Sequence, residues 1–188
     1  MAAWQSGIVH NEDLWPCGFS RPSVMRLRGS GLIHEVHPGV YAWGHSRMTL
    51  RGRFVAVVRA CGPGAAVSHR SAAVLWGLLL WDETWRPEVT TPMRGAREIP
   101  DVAVHRTRVP MDTVLLDDIP VTIVPRVLVD LSSAMPFHPV RGAVREAMAE
   151  KKVTVRQIAA TRGKRGGAQL ICILAHRPAP SSRTPCRT

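Results

Sequence analysis

Arginine and serine side chains cluster in one short stretch near the N-terminus. From Leu14 to His34 the chain carries no Asp or Glu. Arginine can fork onto guanine or a phosphate, and serine hydroxyls can bond phosphate oxygens. The residues predicted to contact double-stranded DNA are Ser20, Arg21, Ser23, Arg26, Arg28, His37 and Tyr41. The alternative interpretation of the same stretch is a solvated helix face with ordinary arginines.

Helix signals explain how this stretch would present its side chains. Ser20 is a good N-cap, and Pro22 is tolerated in the first helical turn. Val24 and Leu27 lie three residues apart on one face, so residues 20–30 are predicted to form a helix that ends at Gly31. A shorter helix near residues 14–17, started by the acidic residues before it and ended by Gly18, is predicted to precede it.

A hairpin is predicted directly after the second helix. Two β-prone runs, residues 32–36 and 40–43, flank the sequence His37-Pro38-Gly39. Proline presets the turn and glycine supplies the positive φ of a type II turn. Short helix, turn, second helix and hairpin is the order of a winged helix-turn-helix, in which the second helix enters the major groove and His37 and Tyr41 lie on the wing.

The rest of the chain predicts a second, mixed region, so the fold class expected for the whole chain is α+β. Residues 49–61, 68–77 and 124–135 have helical patterns, whereas residues 102–108 and 121–124 are β-prone. Further helices are expected at 138–152, 155–161 and 168–175. The predicted organisation is a winged-helix domain at 1–45, an α/β domain at 46–176 and a disordered basic tail at 177–188.

The charge balance indicates the class of partner, and the hydropathy pattern indicates the cellular compartment. The 188 residues carry a formal net charge of +11, and no acid follows Glu150. This balance suits a polyanion. The N-terminus has no basic segment followed by an apolar one, and the longest apolar run is too short to span a bilayer, so we expect a cytoplasmic protein without membrane contact.

Residue types suited to catalysis are present but do not form a recognisable catalytic set. Ser68 and His69 are interpreted as a helix cap beside a polar surface residue, because neighbours on a helix point to different sides. Asp117 and Asp118 are explained by a turn. The four cysteines lack metal-ligand spacing and are interpreted as buried free thiols. We therefore expect no enzymatic activity, no cofactor and no metal.

The sequence resembles the AbiEi-type antitoxins of abortive-infection (type IV) toxin-antitoxin systems, and the longer proteins that fuse such a region to a Vsr-like endonuclease domain. The resemblance spans about residues 7–176. The residues that carry it are Gly7-Ile8-Val9, Leu14, Gly18-Phe19-Ser20, Gly31-Leu32, Gly39-Val40-Tyr41, Cys61-Gly62-Pro63-Gly64-Ala65, Ser68-His69-Arg70-Ser71-Ala72-Ala73, Leu75-Trp76-Gly77, His105-Arg106, Ile119-Pro120-Val121-Thr122 and Arg126-Val127-Leu128-Val129-Asp130-Leu131.

This resemblance implies a regulator whose winged helix binds operator DNA and represses its own operon, with an α/β region involved in neutralising a nucleotidyltransferase-like toxin. Two departures from the family pattern stand out. The first helix is expected to be shortened, since six residues precede Gly7, and the acidic nuclease segment expected near Pro180 is replaced by a basic sequence. The alternatives are a protein-interaction module and a truncated, non-catalytic remnant of the endonuclease fusion. A palindromic operator would require a dimer, but no zipper segment indicates where a second subunit would dock.

Overall fold

The computed structural model describes residues 5–92, 98–161 and 165–175. Over these residues the chain has an α+β fold with eight α-helices and two β-sheets. The predicted tail, residues 177–188, lies outside the described residues. The described helices include none with the length and apolar character needed to cross a membrane.

The first sheet has three strands and incorporates the predicted hairpin. The elements of this three-stranded region are, in chain order, β1 (Ile8–His10), α1 (Asn11–Leu14), a 3-10 turn (Trp15–Cys17), α2 (Arg21–Gly29), β2 (Ile33–His37) and β3 (Val40–Trp43). The strand order is β1-β3-β2, and both pairings are antiparallel. Strand β1 was not predicted, because three residues are too few to show an alternating pattern.

Local signals in the sequence explain the helix and turn boundaries of this region. Ser20 is the extended N-cap of α2, and Ser30 is its C-cap, followed by Gly31 at φ 73°. Gly18 ends the preceding turn at φ 82°. Gly39 has φ 77°, a left-handed conformation that favours glycine at the hairpin.

The second sheet has five strands covered by helices. The elements of this five-stranded region are α3 (Leu50–Cys61), β4 (Ala66–Val67), α4 (His69–Leu75), β5 (Glu88–Pro92), β6 (Ala103–Thr107), β7 (Thr113–Leu116), β8 (Ile119–Thr122), α5 (Val124–Ala134), α6 (Phe137–Ala149), α7 (Val155–Ala159) and α8 (Gly167–Ala175). The strand order is β6-β5-β4-β8-β7. The β5–β6 and β4–β8 pairs are parallel, and the other two pairs are antiparallel.

The predicted helices of this region are present, with boundaries that differ by a few residues. Thr49 caps α3 by accepting a hydrogen bond from the backbone N–H of Gly52. The turn predicted at Asp117 and Asp118 joins β7 to β8, with φ values of 47° and 64°. Strands β4, β5 and β7 were missed. Strand β5 reads Glu-Val-Thr-Thr-Pro and has four buried residues, so polar side chains occupy a central strand where sequence patterns predict apolar ones.

The three-stranded sheet lies between two apolar clusters. Val40 and Ala42 of β3 face the large cluster, which contains Phe54 of α3. Tyr41, the residue between them, packs into the small cluster formed by Val9, Leu14, Val24, Ile33 and Tyr41 itself. Tyr41 is 5% exposed. The prediction that Tyr41 contacts DNA from the wing is therefore wrong, because strand alternation turns its side chain onto α1 and α2.

The cysteines differ from the prediction of buried thiols. Cys17 and Cys172 are exposed, and Cys61 is partly buried. Cys17 lies in the surface 3-10 turn, where the short segment has no buried residue. Burial raises the pKa of the Cys61 thiol to about 11. Cys186 lies outside the described residues.

Candidate functional site

Helix α2 presents the predicted arginines on its outer surface. Val24 anchors the inner face of the helix in the small cluster. Arg21, Arg26 and Arg28 are exposed, and Met25 between them is 69% exposed. The helix therefore offers guanidinium groups around one exposed apolar side chain, which is a suitable surface for the edges of base pairs and for phosphates.

The serines of this region form a small hydrogen-bonded group with one arginine. The Ser20 and Ser23 hydroxyls lie 3.1 Å apart. Arg26 Nη2 donates to Ser23 Oγ over 3.3 Å. The structure thus brings Ser20, Ser23 and Arg26 together along α2, and the contact with Ser23 orients the Arg26 guanidinium.

Glu35 of the hairpin lies next to Arg28 on the α2 surface, although the stretch from Leu14 to His34 contains no Asp or Glu. Arg28 Nη2 lies 2.7 Å from Glu35 Oε2, and Glu35 Oε1 also accepts from the backbone N–H of Gly39 over 3.4 Å. The ion pair ties the end of α2 to the β2–β3 hairpin. Arg28 is therefore shared between holding this geometry and offering charge to a ligand.

His37 occupies a position between the hairpin and the five-stranded region. It lines an open groove with Arg28, and a second cleft with Arg53 and Asp101. Burial lowers the pKa of His37, and the nearby Asp101 carboxylate opposes that shift. Because it is half-buried at this junction, His37 offers less surface to a ligand than a wing-tip residue would.

A second group of functional side chains lies at the start of α4. Ser68 is fully buried, and its Oγ accepts a hydrogen bond from Thr90 Oγ1 over 2.7 Å. His69 Nδ1 lies 3.0 Å from the same Ser68 oxygen and 3.9 Å from Asp130 Oδ2. Ser68 is the N-cap residue of α4, as predicted, although its side chain makes no capping hydrogen bond. The interpretation of His69 as a surface residue is wrong, because its side chain is 13% exposed. His69 has φ 51°, outside helical geometry, and this turns its ring back toward Ser68.

The His69 ring also stacks on His105 of β6. The ring centroids are 3.7 Å apart and the planes differ by 14°. Burial lowers the pKa of His69, and the neighbouring His105 adds to that effect, while Asp130 opposes it. Two stacked imidazolium ions would repel, so the arrangement favours a neutral His69 at pH 7.

Glu88 of β5 holds the opposite side of this group. Its carboxylate accepts from the backbone N–H of Arg70 over 2.7 Å and from Arg70 Nη2 over 2.9 Å. His105 Nε2 lies 3.7 Å from Glu88 Oε1, too far for a hydrogen bond. Burial alone would raise the pKa of Glu88, but the histidine and arginine contacts outweigh burial and lower the pKa to about 2.

This arrangement does not form a nucleophilic triad. In a triad the histidine uses one ring nitrogen for serine and the other for the carboxylate. Here Ser68 and Asp130 both face Nδ1 of His69, and Ser68 is fully buried. Asp130 is also engaged by Arg126 one helical turn earlier, whose Nε lies 2.8 Å from Oδ1. Among the described residues, no three His, Cys, Asp or Glu side chains are grouped to hold a metal ion.

A cleft of about 980 Å³ opens beside the histidine pair. The residues that line it are His69, Arg86, Thr90, Glu98, Ile99, Pro100, Asp101, Val102, Val104, His105, Arg106 and Arg126. Sequence reasoning did not assemble this site, because its side chains come from α4, β5, β6 and α5 and from the loops before β5 and β6. The one signal available was the Ser68-His69-Arg70-Ser71 run, which carried part of the family resemblance.

Comparison with known proteins identifies a structural relative. The crystal structure of the RV2827C protein from Mycobacterium tuberculosis is similar to this chain, with a TM-score of 0.56 and 18% sequence identity. The match covers 92% of this chain and 77% of that one. At this identity the similarity supports the fold alone. No family model and no curated protein sequence matches the chain.

Proposed function

We propose that the protein is a DNA-binding transcriptional regulator of antitoxin type that represses its own operon in the cytoplasm. The observation that carries the proposal is the exposed face of α2. There Arg21, Arg26 and Arg28 surround Met25, and the opposite face of the helix is fixed in an apolar cluster. A rigid helix with outward arginines is the element that reads the major groove in helix-turn-helix proteins.

The surrounding elements support a winged-helix interpretation of this region. Helix α1 precedes α2, and the β2–β3 hairpin follows it, which is the order in which a wing accompanies a recognition helix. Arg28 and Glu35 link that hairpin to α2. In this proposal α2 enters the major groove of operator DNA and the hairpin contacts the phosphate backbone.

Fluorescence anisotropy with labelled duplex tests specificity. The duplex from the region upstream of the protein's own gene is compared with a shuffled duplex at physiological salt. A specific repressor should bind the upstream duplex at least about 10³-fold more tightly. Equal affinities that fall steeply with salt would contradict the proposal, since they would reflect phosphate neutralisation only.

A substitution locates the interface. Arg26→Ala should weaken binding to the upstream duplex by about 1–3 kcal/mol if Arg26 reads a base edge. The matched control is Arg145→Ala on the exposed side of α6, which removes the same charge from the five-stranded region. Equal binding by Arg26→Ala and the parent would remove Arg26 from the interface, and equal losses in both variants would indicate a general charge effect.

An exposed edge strand of the five-stranded sheet supports a second candidate function, the binding of a partner protein. Strand β7 is an edge strand of the five-stranded sheet, and its Val114 and Leu115 are 41% and 69% exposed. Edge strands with exposed apolar side chains can pair with a strand of a partner. A nucleotidyltransferase-like toxin encoded next to this gene is the partner that the family resemblance suggests. Co-purification that is lost in Leu115→Lys and kept in Leu80→Lys would support this candidate.

A further inference from the structure

The outward face of helix α2 carries an apolar stripe. On a helix, residues three, four and seven positions apart lie on one face. Pro22, Met25 and Gly29 follow this spacing, and all three are exposed. Val24 and Leu27 are on the opposite face, in the small cluster. The stripe therefore points away from the protein, and it contains no charged side chain and no hydrogen-bond donor.

Arginines border this stripe on both sides. Helical periodicity places Arg21 and Arg28 along one edge of the stripe and Arg26 along the other. Arg28 is held by Glu35 over 2.7 Å, and Arg26 is oriented by its hydrogen bond to Ser23 over 3.3 Å. A positive border on both sides is complementary to the two phosphate backbones that enclose a groove of DNA. In that arrangement the stripe faces the base pairs.

Met25 is the side chain of the stripe that projects farthest. It is 69% exposed and belongs to neither apolar cluster of the described residues. Gly29 lies outside the positive-φ residues, and a Cβ added there would meet no described atom within 4 Å. Neither the backbone nor the packing therefore requires glycine at this position. With short residues before and after it on the stripe, the Met25 side chain can reach a surface that lies close to the helix.

The thioether of Met25 limits which base it can favour. Its sulfur is a weak acceptor, and the side chain has no donor. In the major groove guanine, adenine and cytosine present hydrogen-bonding atoms, whereas thymine also presents a C5-methyl group. Contact with that methyl removes hydrocarbon surface of both partners from water. A flexible and polarisable methionine side chain packs readily against such a group.

We propose that Met25 is a specificity-determining residue that packs against the C5-methyl group of a thymine in the operator, between the contacts of the flanking arginines. The proposal rests on the DNA-binding function proposed above. It adds a sequence preference to that function, because an operator with cytosine at this position lacks the methyl group. Burial of one methyl group corresponds to about fourfold in affinity.

Uracil substitution in the upstream duplex tests this contact, because uracil differs from thymine only in lacking the C5-methyl group. Each thymine of the protein's footprint is replaced in turn, and fluorescence anisotropy gives the affinity. The parent should lose about fourfold at one thymine, or at one in each half of a palindromic operator. At that position Met25→Ala should bind the thymine and uracil duplexes equally.

Two further variants separate the methyl contact from a change in the helix. Met25→Leu keeps an apolar side chain of similar size and should retain most of the sensitivity to uracil. Leu80→Ala removes a side chain of the five-stranded region that is 91% exposed, and it should retain all of the sensitivity. Because Met25 is exposed, Met25→Ala should fold as the parent does, and circular dichroism checks this.

The outcomes distinguish this inference from the proposed function. Specific binding by the parent without sensitivity to uracil at any thymine would overturn the inference and leave the DNA proposal standing. Equal sensitivity to uracil in Met25→Ala and the parent would do the same. Equal affinity of the parent for the upstream and shuffled duplexes would overturn the DNA proposal together with the inference that rests on it.

Discussion

The three-stranded and five-stranded regions differ in where they keep their polar side chains. The small cluster of the three-stranded region is built from Val9, Leu14, Val24, Ile33 and Tyr41, and its arginines and serines are at or near the surface. The five-stranded region buries Ser68, Glu88, Thr90 and Asp130 inside its sheet and helices. The exposed arginines are positioned by one helix, α2. The buried polar network forms only when α4, β5, β6 and α5 are all in place.

This difference has an energetic consequence. In the three-stranded region an arginine can be changed with little effect on folding, so binding and stability are separable. In the five-stranded region each buried polar group is the partner of another, and removing one leaves its partner unsatisfied. Mutations there should alter the stability of the fold and the properties of the cleft together.

The largest expected effect on stability is at Phe54, a residue of the helix that packs on both sheets. Phe54 is fully buried in α3, which packs on both sheets, and its ring meets Trp81 edge-on at 5.5 Å. Phe54→Ala should lower the free energy of unfolding by about 3–5 kcal/mol. Urea denaturation followed by tryptophan fluorescence measures the change. Phe54→Leu, which keeps most of the volume, should lose less, and equal losses would argue against a packing origin.

A smaller loss is expected from the buried network. Glu88→Ala should lower the free energy of unfolding by about 3 kcal/mol, because Arg70 and its backbone N–H lose their acceptor. Arg70 is 31% exposed, so water compensates part of the loss. Glu88→Gln keeps an acceptor oxygen and should lose less. A Glu88→Ala protein as stable as the parent would show that the network is not needed for folding.

Acidification should destabilise the five-stranded region in two steps. The folded-state pKa of Glu88 is about 2, below its ordinary 4.5, so its contribution is present above pH 4.5 and is lost as the pH falls toward 2. The pKa of His69 is also lowered, from 6.5. Protonation therefore favours the unfolded chain once the pH falls below 6.5. Chemical denaturation across pH measures both steps, and His69→Gln should remove the upper one.

The smallest effect on stability is expected at the surface of the three-stranded region. Arg28→Ala removes an ion pair whose side chains are 47% and 32% exposed, so the stability loss should be below about 1 kcal/mol. Its affinity for the upstream duplex should nevertheless fall. Thermal unfolding and anisotropy on the same preparation separate the two readouts. A large stability loss with unchanged DNA affinity would reverse the contrast between the regions.

Sequence patterns predicted much of the fold and the exposed arginines of α2, but not the polar network around His69. The caps at Ser20 and Thr49 and the glycine turns set the observed helix and hairpin boundaries within a few residues. Tyr41 was misplaced because its type suits both a core and a binding surface. Strand β5 was missed because it buries Glu88, Thr90 and Thr91, residues whose types indicate exposure.

The sequence by itself determined the local features of this protein: the helices, the hairpin turn, the basic balance and the acid-free stretch that becomes the α2 surface. These follow from neighbouring residues, since caps, turns and helical faces are set within a few positions. The tertiary structure decided where distant residues meet. It pairs Glu35 with Arg28 and stacks His69 on His105. It also brings Ser68, Glu88 and Asp130 to this histidine pair, where they form one buried network. Those contacts arise from the order of strands in the sheet, which no short sequence window contains.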